Sequence, residues 1–239
     1  MSVVRGNRYS RGTKPIMTVR AFEHAGRVIV PEILGSARNG AMLKNLRDLT
    51  RINRWFGGHR TLGTVLDGIV GCNEEFSLLD VGAGSGDMGE SILARYPRTH
   101  VFSLDRRPSH IRGAPGSRVV ANAFQLPFRR GAFDFVLCSL LLHEFADEEA
   151  VELLARLHRV ARRALVVLEL HRHPLAYHFL PATRWVFGWG SVTVHDGPVS
   201  VQAAFQPHEL ERLARRAGLT DVAVQRHPPW FRLSMVARH

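Results

Sequence analysis

The spacing of apolar positions divides the chain into stretches of different period. From Asn39 to Phe56, apolar residues recur at three- and four-residue steps, from Met42 and Leu43 through Leu46, Leu49 and Ile52 to Trp55. This predicts a helix stopped by Gly57-Gly58. A second helical face follows, with Leu62, Val65, Leu66, Ile69 and Val70. The period then shortens. Phe76–Val81, His100–Leu104, Arg118–Ala121, Phe133–Ser139 and Ala164–Leu170 are short apolar runs that read as strands. Asp87–Tyr96 and Ala146–Val160 read as helices between them, and the second carries Asp147, Glu148 and Glu149 in its first turn, against the positive end of the helix. Strands that alternate with helices predict a parallel sheet with right-handed crossovers. The end of the chain differs. After a helix at Pro207–Ala217, the runs Asp221–His227 and Phe231–Arg238 lie too close together for a crossover, and they predict a hairpin that adds an antiparallel strand.

Organisation follows from the same pattern. Residues 1–20 carry five basic side chains, no acid and little periodicity, and read as a mobile basic tail. Residues 21–239 read as one domain: N-terminal helices at 39–70, a core at 76–170, an aromatic- and His-rich insertion at 171–206, and a helix with a hairpin at 207–239.

Composition narrows the class. The chain has 239 residues, 45% apolar and 22% charged, an ordinary globular balance. No run approaches the roughly 18 apolar residues of a membrane span. Arg5, Arg8, Arg11 and Lys14 without a following apolar run argue against a signal peptide. Cys72 and Cys138 lie among apolar neighbours and read as reduced core thiols, which suits the cytoplasm. The net charge of +11, from 30 Arg and 2 Lys, raises nucleic acid as a partner. Its distribution weakens that reading: residues 1–60 are net +9, 61–155 net −5 and 156–239 net +7.

The acidic middle contains the chemistry. Leu78-Leu79-Asp80-Val81 ends in the turn Gly82-Ala83-Gly84-Ser85-Gly86, and Asp87 opens a helix. The spacing is G-x-G-x-G; the dinucleotide pattern G-x-G-x-x-G fails because residue 87 is Asp, and no P-loop Lys-Ser/Thr follows. Asp80, ahead of the glycines, would repel a pyrophosphate but suits an amine. Asp105 ends the next strand, 21 residues beyond Gly84, where a carboxylate can take both hydroxyls of a ribose.

With these residues the chain resembles the class I S-adenosylmethionine-dependent methyltransferases, over about Phe76 to Leu170 and more weakly to the C-terminus. The resemblance rests on Asp80–Gly86, Asp105, and Asn122-Ala-Phe-Gln-Leu-Pro-Phe128 followed by Phe133–Ser139. It implies an α/β, Rossmann-like, seven-stranded, mostly parallel sheet with an antiparallel C-terminal hairpin strand, N-terminal helices and an inserted helical lid. It implies S-adenosyl-L-methionine as cofactor. Asp80, Gly82, Ala83, Gly84 and Gly86 would hold its methionine half and Asp105 its ribose. Asn122 and Ala123 would face the adenine edge, with Arg106 over the adenine face and Ser139 beneath the cofactor. The family usually has Asp where this chain has Asn122, which implies an altered adenine contact.

Methyl transfer requires alignment, and a neutral hydroxyl acceptor also benefits from a base. His143 is the first candidate base. Glu144 is beside it, and Glu169, His171 and His173 follow the fifth strand. His195, in His195-Asp-Gly-Pro198, is the second candidate, on a segment read as flexible. Leu175, Tyr177, Phe179, Trp185, Phe187 and Trp189, with Trp55 and Phe56, suit either the walls of a flat substrate site or the packing of a cap. Arg51 and Arg54 suit either a cofactor carboxylate or an exposed face. No metal is expected: His143-Glu144 lacks the second His of a zincin, and no thiolate or carboxylate set completes a site with His171, His173 and His178. Within the family the chain is similar to bacterial small-molecule methyltransferases, of the quinone-biosynthesis and type III polyketide-associated kinds. That implies O- or C-methylation of a phenolic or quinonoid metabolite. Three alternatives stand beside it: an RNA or DNA methyltransferase using the basic flanks, a non-catalytic S-adenosylmethionine-binding protein, and an NAD-dependent enzyme. Against RNA, the N/D-P-P-Y/F segment is missing where the fourth strand ends at Ser139-Leu140.

Overall fold

The computed structural model of the protein describes residues 22, 25–30, 39–71 and 73–239, so the expected tail and Cys72 lie outside the described residues. Two helices, α1 (Asn39–Trp55) and α2 (Gly58–Asp67), precede the sheet. Five parallel strands follow: β1 (Ser77–Val81), β2 (His100–Asp105), β3 (Ser117–Val120), β4 (Phe133–Ser139) and β5 (Ala161–Leu170). Helices α3 (Asp87–Arg95) and α4 (Asp147–Val160) lie between them in the chain. The insertion after β5 forms α5 (Pro174–Phe187) and α6 (Ser191–Ala203). Finally α7 (Pro207–Arg216) leads to the hairpin β6 (Asp221–His227) and β7 (Arg232–Arg238).

The strands join in one seven-stranded sheet of order β3-β2-β1-β4-β5-β7-β6. β7 runs antiparallel to both β5 and β6. The expected hairpin strand is therefore present, inserted beside β5. Strand and helix ends agree with the sequence reading to within a few residues, the scatter expected of frayed termini.

Period-2 alternation sends successive residues to opposite faces. Leu79 and Val81 of β1 pack toward α4 and α7, with Leu153, Leu157 and Leu213. Leu78 packs toward α2 and α3, with Leu62, Leu66 and Ile92. Asp80 shares the Leu78 face but sits at the strand's carboxyl end. β1 pairs with β4 on one side and β2 on the other, with Val81 opposite Cys138 and Leu104. Crossovers on the two sides of β1 run in opposite directions along the sheet, which opens a crevice at the carboxyl ends of β1 and β4.

The insertion corrects one expectation. His195-Asp-Gly-Pro198 is not a flexible loop but the middle of α6. Gly197 makes this helix fit: a Cβ there would lie 2.4 Å from Cδ1 of Leu180 on α5. The lid is fastened at its base by Arg172, whose guanidinium makes two bonds of 2.9 Å to the Glu209 carboxylate and one of 2.7 Å to the Ala204 carbonyl. His171 bonds Gln206 at 3.0 Å, and His173 caps α5 by accepting from the Leu175 amide. These histidines are engaged in structure. Among the described residues, no group of three or more His, Cys, Asp or Glu is arranged to hold a metal ion, and no helix is long and apolar enough to cross a membrane.

Candidate functional site

A cavity of about 850 Å³ occupies the crevice, within the size range of small-molecule sites. Its floor is the glycine turn. Gly82 and Gly84 adopt φ of 74° and 53°, a region that L side chains rarely enter. A Cβ on Gly82 would also approach Leu141 to 3.0 Å, while one on Gly84 would meet nothing nearer than 3.8 Å. The Gly82 and Ala83 amides donate to the Leu104 carbonyl, which fixes the turn against β2.

Two acids face this turn. Asp80 is buried, and its Oδ2 has no hydrogen-bond partner. Burial, and then the neighbouring Asp87 and Asp105, push it up to about 8. A cation placed against it would satisfy the orphaned oxygen and restore the carboxylate. Asp105 is the converse. Burial acts to raise it, but His110 and the backbone amides of Arg107 and Gly84 hold it below the usual carboxylate range. Its Oδ1 accepts from the Arg107 amide at 2.8 Å and its Oδ2 from the Gly84 amide at 3.2 Å. Asp105 thus ties the two loops together and keeps a carboxylate on the cavity wall. His110 stands 3.5 Å from it through Nδ1, and its Nε2 is buried without a partner. Asp87, which opens α3, accepts from Asn53, His59 and Ser85.

The other expected cofactor positions, Ala83, Arg106, Asn122, Ala123 and Ser139, also line the cavity; Gly86 does not, and forms the N-cap of α3 instead. Asn122 turns its Oδ1 to the Phe124 amide at 3.0 Å, closing an Asx turn. Past Ser139 the chain bends sharply, and Leu140 takes φ 52°, a strained conformation for a side chain of its size.

His143 follows, in a short 3-10 turn, Leu142–Glu144. Its Nδ1 lies 2.8 Å from Oε2 of Glu169, which is wholly buried at the end of β5. The other Glu169 oxygen accepts from the Leu142 and His143 amides at 2.8 and 3.2 Å, and Oε2 also takes the Leu170 amide. A carboxylate held by three amides accepts, so His143 Nδ1 donates and Nε2 becomes the basic atom of the neutral ring. His143 and Glu144 both line the cavity. His195 does not: it bonds Asp196 at 2.8 Å and is half exposed, while Val199 and Ala203 of the same helix reach the wall.

Three further outcomes concern the walls. The lid aromatics line no part of the cavity; Phe56 packs against Phe179 at 4.7 Å and Phe187 on Trp189 at 5.1 Å between centroids, while Trp185 is exposed. The lining aromatics are Phe124 and Phe145. Arg51 is absent from the cavity too, bonded to the Phe187 carbonyl and stacked over Trp55 and Trp189. In their place stands a strap from the N-terminus. Ile29 and Val30 line the cavity, and Arg27 fastens them there. The Arg27 guanidinium bonds Asp147 at 2.6 Å and the carbonyls of Ala203, Phe145 and His143 at 2.7, 3.0 and 3.3 Å, and stacks 4.0 Å over Phe205. Neither Arg27 nor His110 has a periodic signal in the sequence; their partners are far away in the chain or in an irregular loop.

A methyltransferase domain family matches residues 78–164, the stretch from β1 into β5 that carries Asp80, the glycine turn, Asp105 and His143. A demethylmenaquinone methyltransferase from Thermus thermophilus is 30% identical over 164 residues, which span 60% of this chain and 74% of that protein. In fold, the chain is similar to human N-acetylserotonin methyltransferase in complex with S-adenosylmethionine, with a TM-score of 0.63 and 19% identity over 87% of this chain and 60% of that one. It is also similar to the plantazolicin methyltransferase in complex with S-adenosylhomocysteine, with a TM-score of 0.66 and 14% identity over 87% of this chain and 93% of that one. An orphaned buried carboxyl beside a glycine-rich turn, with a second carboxylate one strand away, fits a ligand that bears an ammonium and a ribose. The chain belongs to the S-adenosylmethionine-dependent methyltransferases, and S-adenosylmethionine is its cofactor.

Proposed function

We propose that this enzyme methylates an oxygen or an adjacent carbon of a small phenolic or quinonoid acceptor, with His143 as the base. The observation that carries the proposal is the pairing of His143 with the buried Glu169 at the cavity wall. Both O- and C-methylation of a phenol begin with loss of the hydroxyl proton, so one base serves either outcome. The bound cofactor supplies a methyl group already activated on a sulfonium. The protein residues supply the rest. Asp80 would take the ammonium, Asp105 the ribose hydroxyls, and the Asn122-Ala123 backbone and side chain the adenine edge, with Arg106 beside it and Ser139 beneath. Leu140 and Leu141 form the sheet-side wall next to Gly82. Nε2 of His143 receives the acceptor proton while Glu169 stabilises the imidazolium that results, and Glu144 flanks the acceptor space. Ile29, Val30 and Val199 give that space an apolar wall, which suits an uncharged ring. The Thermus relative, by its name, acts on a quinone precursor and supports the same acceptor class.

The test uses labelled S-adenosylmethionine and a panel of phenols, catechols and hydroquinones, with wild type and His143→Gln. Loss of a general base lowers kcat by about 10²–10⁴-fold. Cofactor affinity should stay within about twofold, because the proposed cofactor contacts are made by other residues. A variant that keeps half of the wild-type kcat would remove His143 from the mechanism. Glu169→Gln should lower kcat as well, because the imidazolium loses the carboxylate that stabilises it.

A further inference from the structure

Helix α5 has no buried residue along its 14 positions. Its outward side carries Leu175, Pro181, Trp185 and Val186, and Trp185 is 87% exposed, Val186 78% and Leu175 64%. A side chain the size of Trp held in water is a costly arrangement unless something covers it. The end of α5 rests on α1: Lys44 donates to the Gly188 carbonyl at 3.0 Å, Arg51 to the Phe187 carbonyl at 2.9 Å, and Trp55 lies 6.3 Å from Phe187. At about 100° per residue, the outward arc of α1 places Leu43, Lys44, Arg47, Arg51, Arg54 and Trp55 within about 120° of one another. All but the partly covered Arg51 are exposed. Arg184 adds a cation at the junction and lies over the Trp185 ring. Neither helix contributes an exposed acid: α5 has none, and Asp48 of α1 is buried.

We infer that this face docks on an anionic membrane surface, with Trp185, Val186 and Leu175 entering the headgroup–acyl boundary and Lys44, Arg47, Arg54 and Arg184 meeting lipid phosphates. Aromatic and aliphatic side chains beside exposed cations are the pattern of an interfacial helix; of these cations Lys44 also lies 3.8 Å from the buried Asp48 carboxylate, while Arg47, Arg54 and Arg184 carry the charge argument. Charge decides against two other occupants. A second copy using the same patch would place these cations against themselves about a two-fold axis. Residues 1–20 of the chain, with five cations and no acid, would add to the repulsion. The inference rests on this face alone, not on the identity of the methyl acceptor.

The test is co-sedimentation of the full chain with phosphatidylcholine vesicles, with and without about 30 mol% phosphatidylglycerol, at about 0.1 M salt. Wild type should partition to the anionic vesicles and not to phosphatidylcholine alone, with a blue shift of tryptophan emission. Trp185→Ser/Val186→Ser, which leaves the charge intact, should lower partition at least fivefold. Arg47→Ser/Arg54→Ser should lower it by about fivefold per cation. Arg129→Ser/Arg130→Ser, with equal charge loss ahead of β4, should leave it nearly unchanged and controls for the overall charge of +11. Equal losses in the two arginine pairs would overturn the inference, as would undiminished binding of the Trp185/Val186 variant. A concentration-dependent dimer abolished by Trp185→Ser would assign the face to a second copy instead. Circular dichroism and unchanged binding of S-adenosylhomocysteine establish that each variant is folded.

Discussion

Burial and the nearby Asp87 and Asp105 hold Asp80 near 8, so the protein without its cofactor keeps a poorly solvated carboxyl at the centre of its site. The sign of the consequence is fixed. In an unfolded chain the same group ionises near about 4, so between about pH 4 and 8 the folded chain binds the extra proton. Its contribution to stability therefore falls as pH rises through that window, by up to about 1.4 kcal/mol per unit. Asp80→Asn should raise the melting temperature of the ligand-free protein at pH 8 but hardly at pH 4.5, and should abolish the stabilisation by S-adenosylhomocysteine. Thermal unfolding across pH checks both, and a variant less stable than wild type at pH 8 would contradict the assigned environment. The two acids were readable in the sequence because strand ends beside glycines are few. The partner of His143 was less so: Glu169 lies 26 residues away, and only the register of β4 with β5 brings the two together.

At the scale of elements, the strands and the glycine turn were legible because one face of each repeats with period 2 or 3.6. The lid was not. Gly197-Pro198 reads as a break, yet both lie inside α6, where the glycine permits close packing on Leu180. The aromatic residues read equally as substrate walls or as cap packing, and they pack the cap because they face one another, edge to face. The strap at Arg27–Val30 had no periodic pattern to find; it is held by the Arg27 side chain, with partners from 116 to 176 residues away, and by the Val28 amide on the Gln202 carbonyl. Arg27→Ala leaves three carbonyls and Asp147 without that donor and should cost about 1–3 kcal/mol of stability. It should raise KM for the acceptor at least fivefold while changing the affinity for S-adenosylmethionine less than twofold, because Ile29 and Val30 line the part of the cavity proposed for the acceptor. Steady-state kinetics on both substrates separates the two; an equal loss for both would make Arg27 a general structural residue.

Across the whole molecule, the division of charge acquires a spatial meaning. The acidic middle of the sequence supplies β1 to β4 with Asp80 and Asp105, and the basic excess lies in residues 1–20, in α1 and in the C-terminal third. The opening of the sheet between β1 and β4 holds the cavity that Asp80 and Asp105 line, the place where open α/β sheets take their ligands. On the proposed site, Asp80 is a neutral carboxyl in the free protein and ionises when the cofactor's ammonium arrives. Calorimetric titration of S-adenosylhomocysteine at pH 7, repeated in buffers of different ionisation enthalpy, counts the protons exchanged. With Asp80 near 8 in the free protein, binding should release about 0.9 proton per ligand, and Asp80→Asn should bind at least a hundredfold more weakly with no release. Tight binding with no proton exchange in wild type, or unchanged affinity in Asp80→Asn, would contradict it.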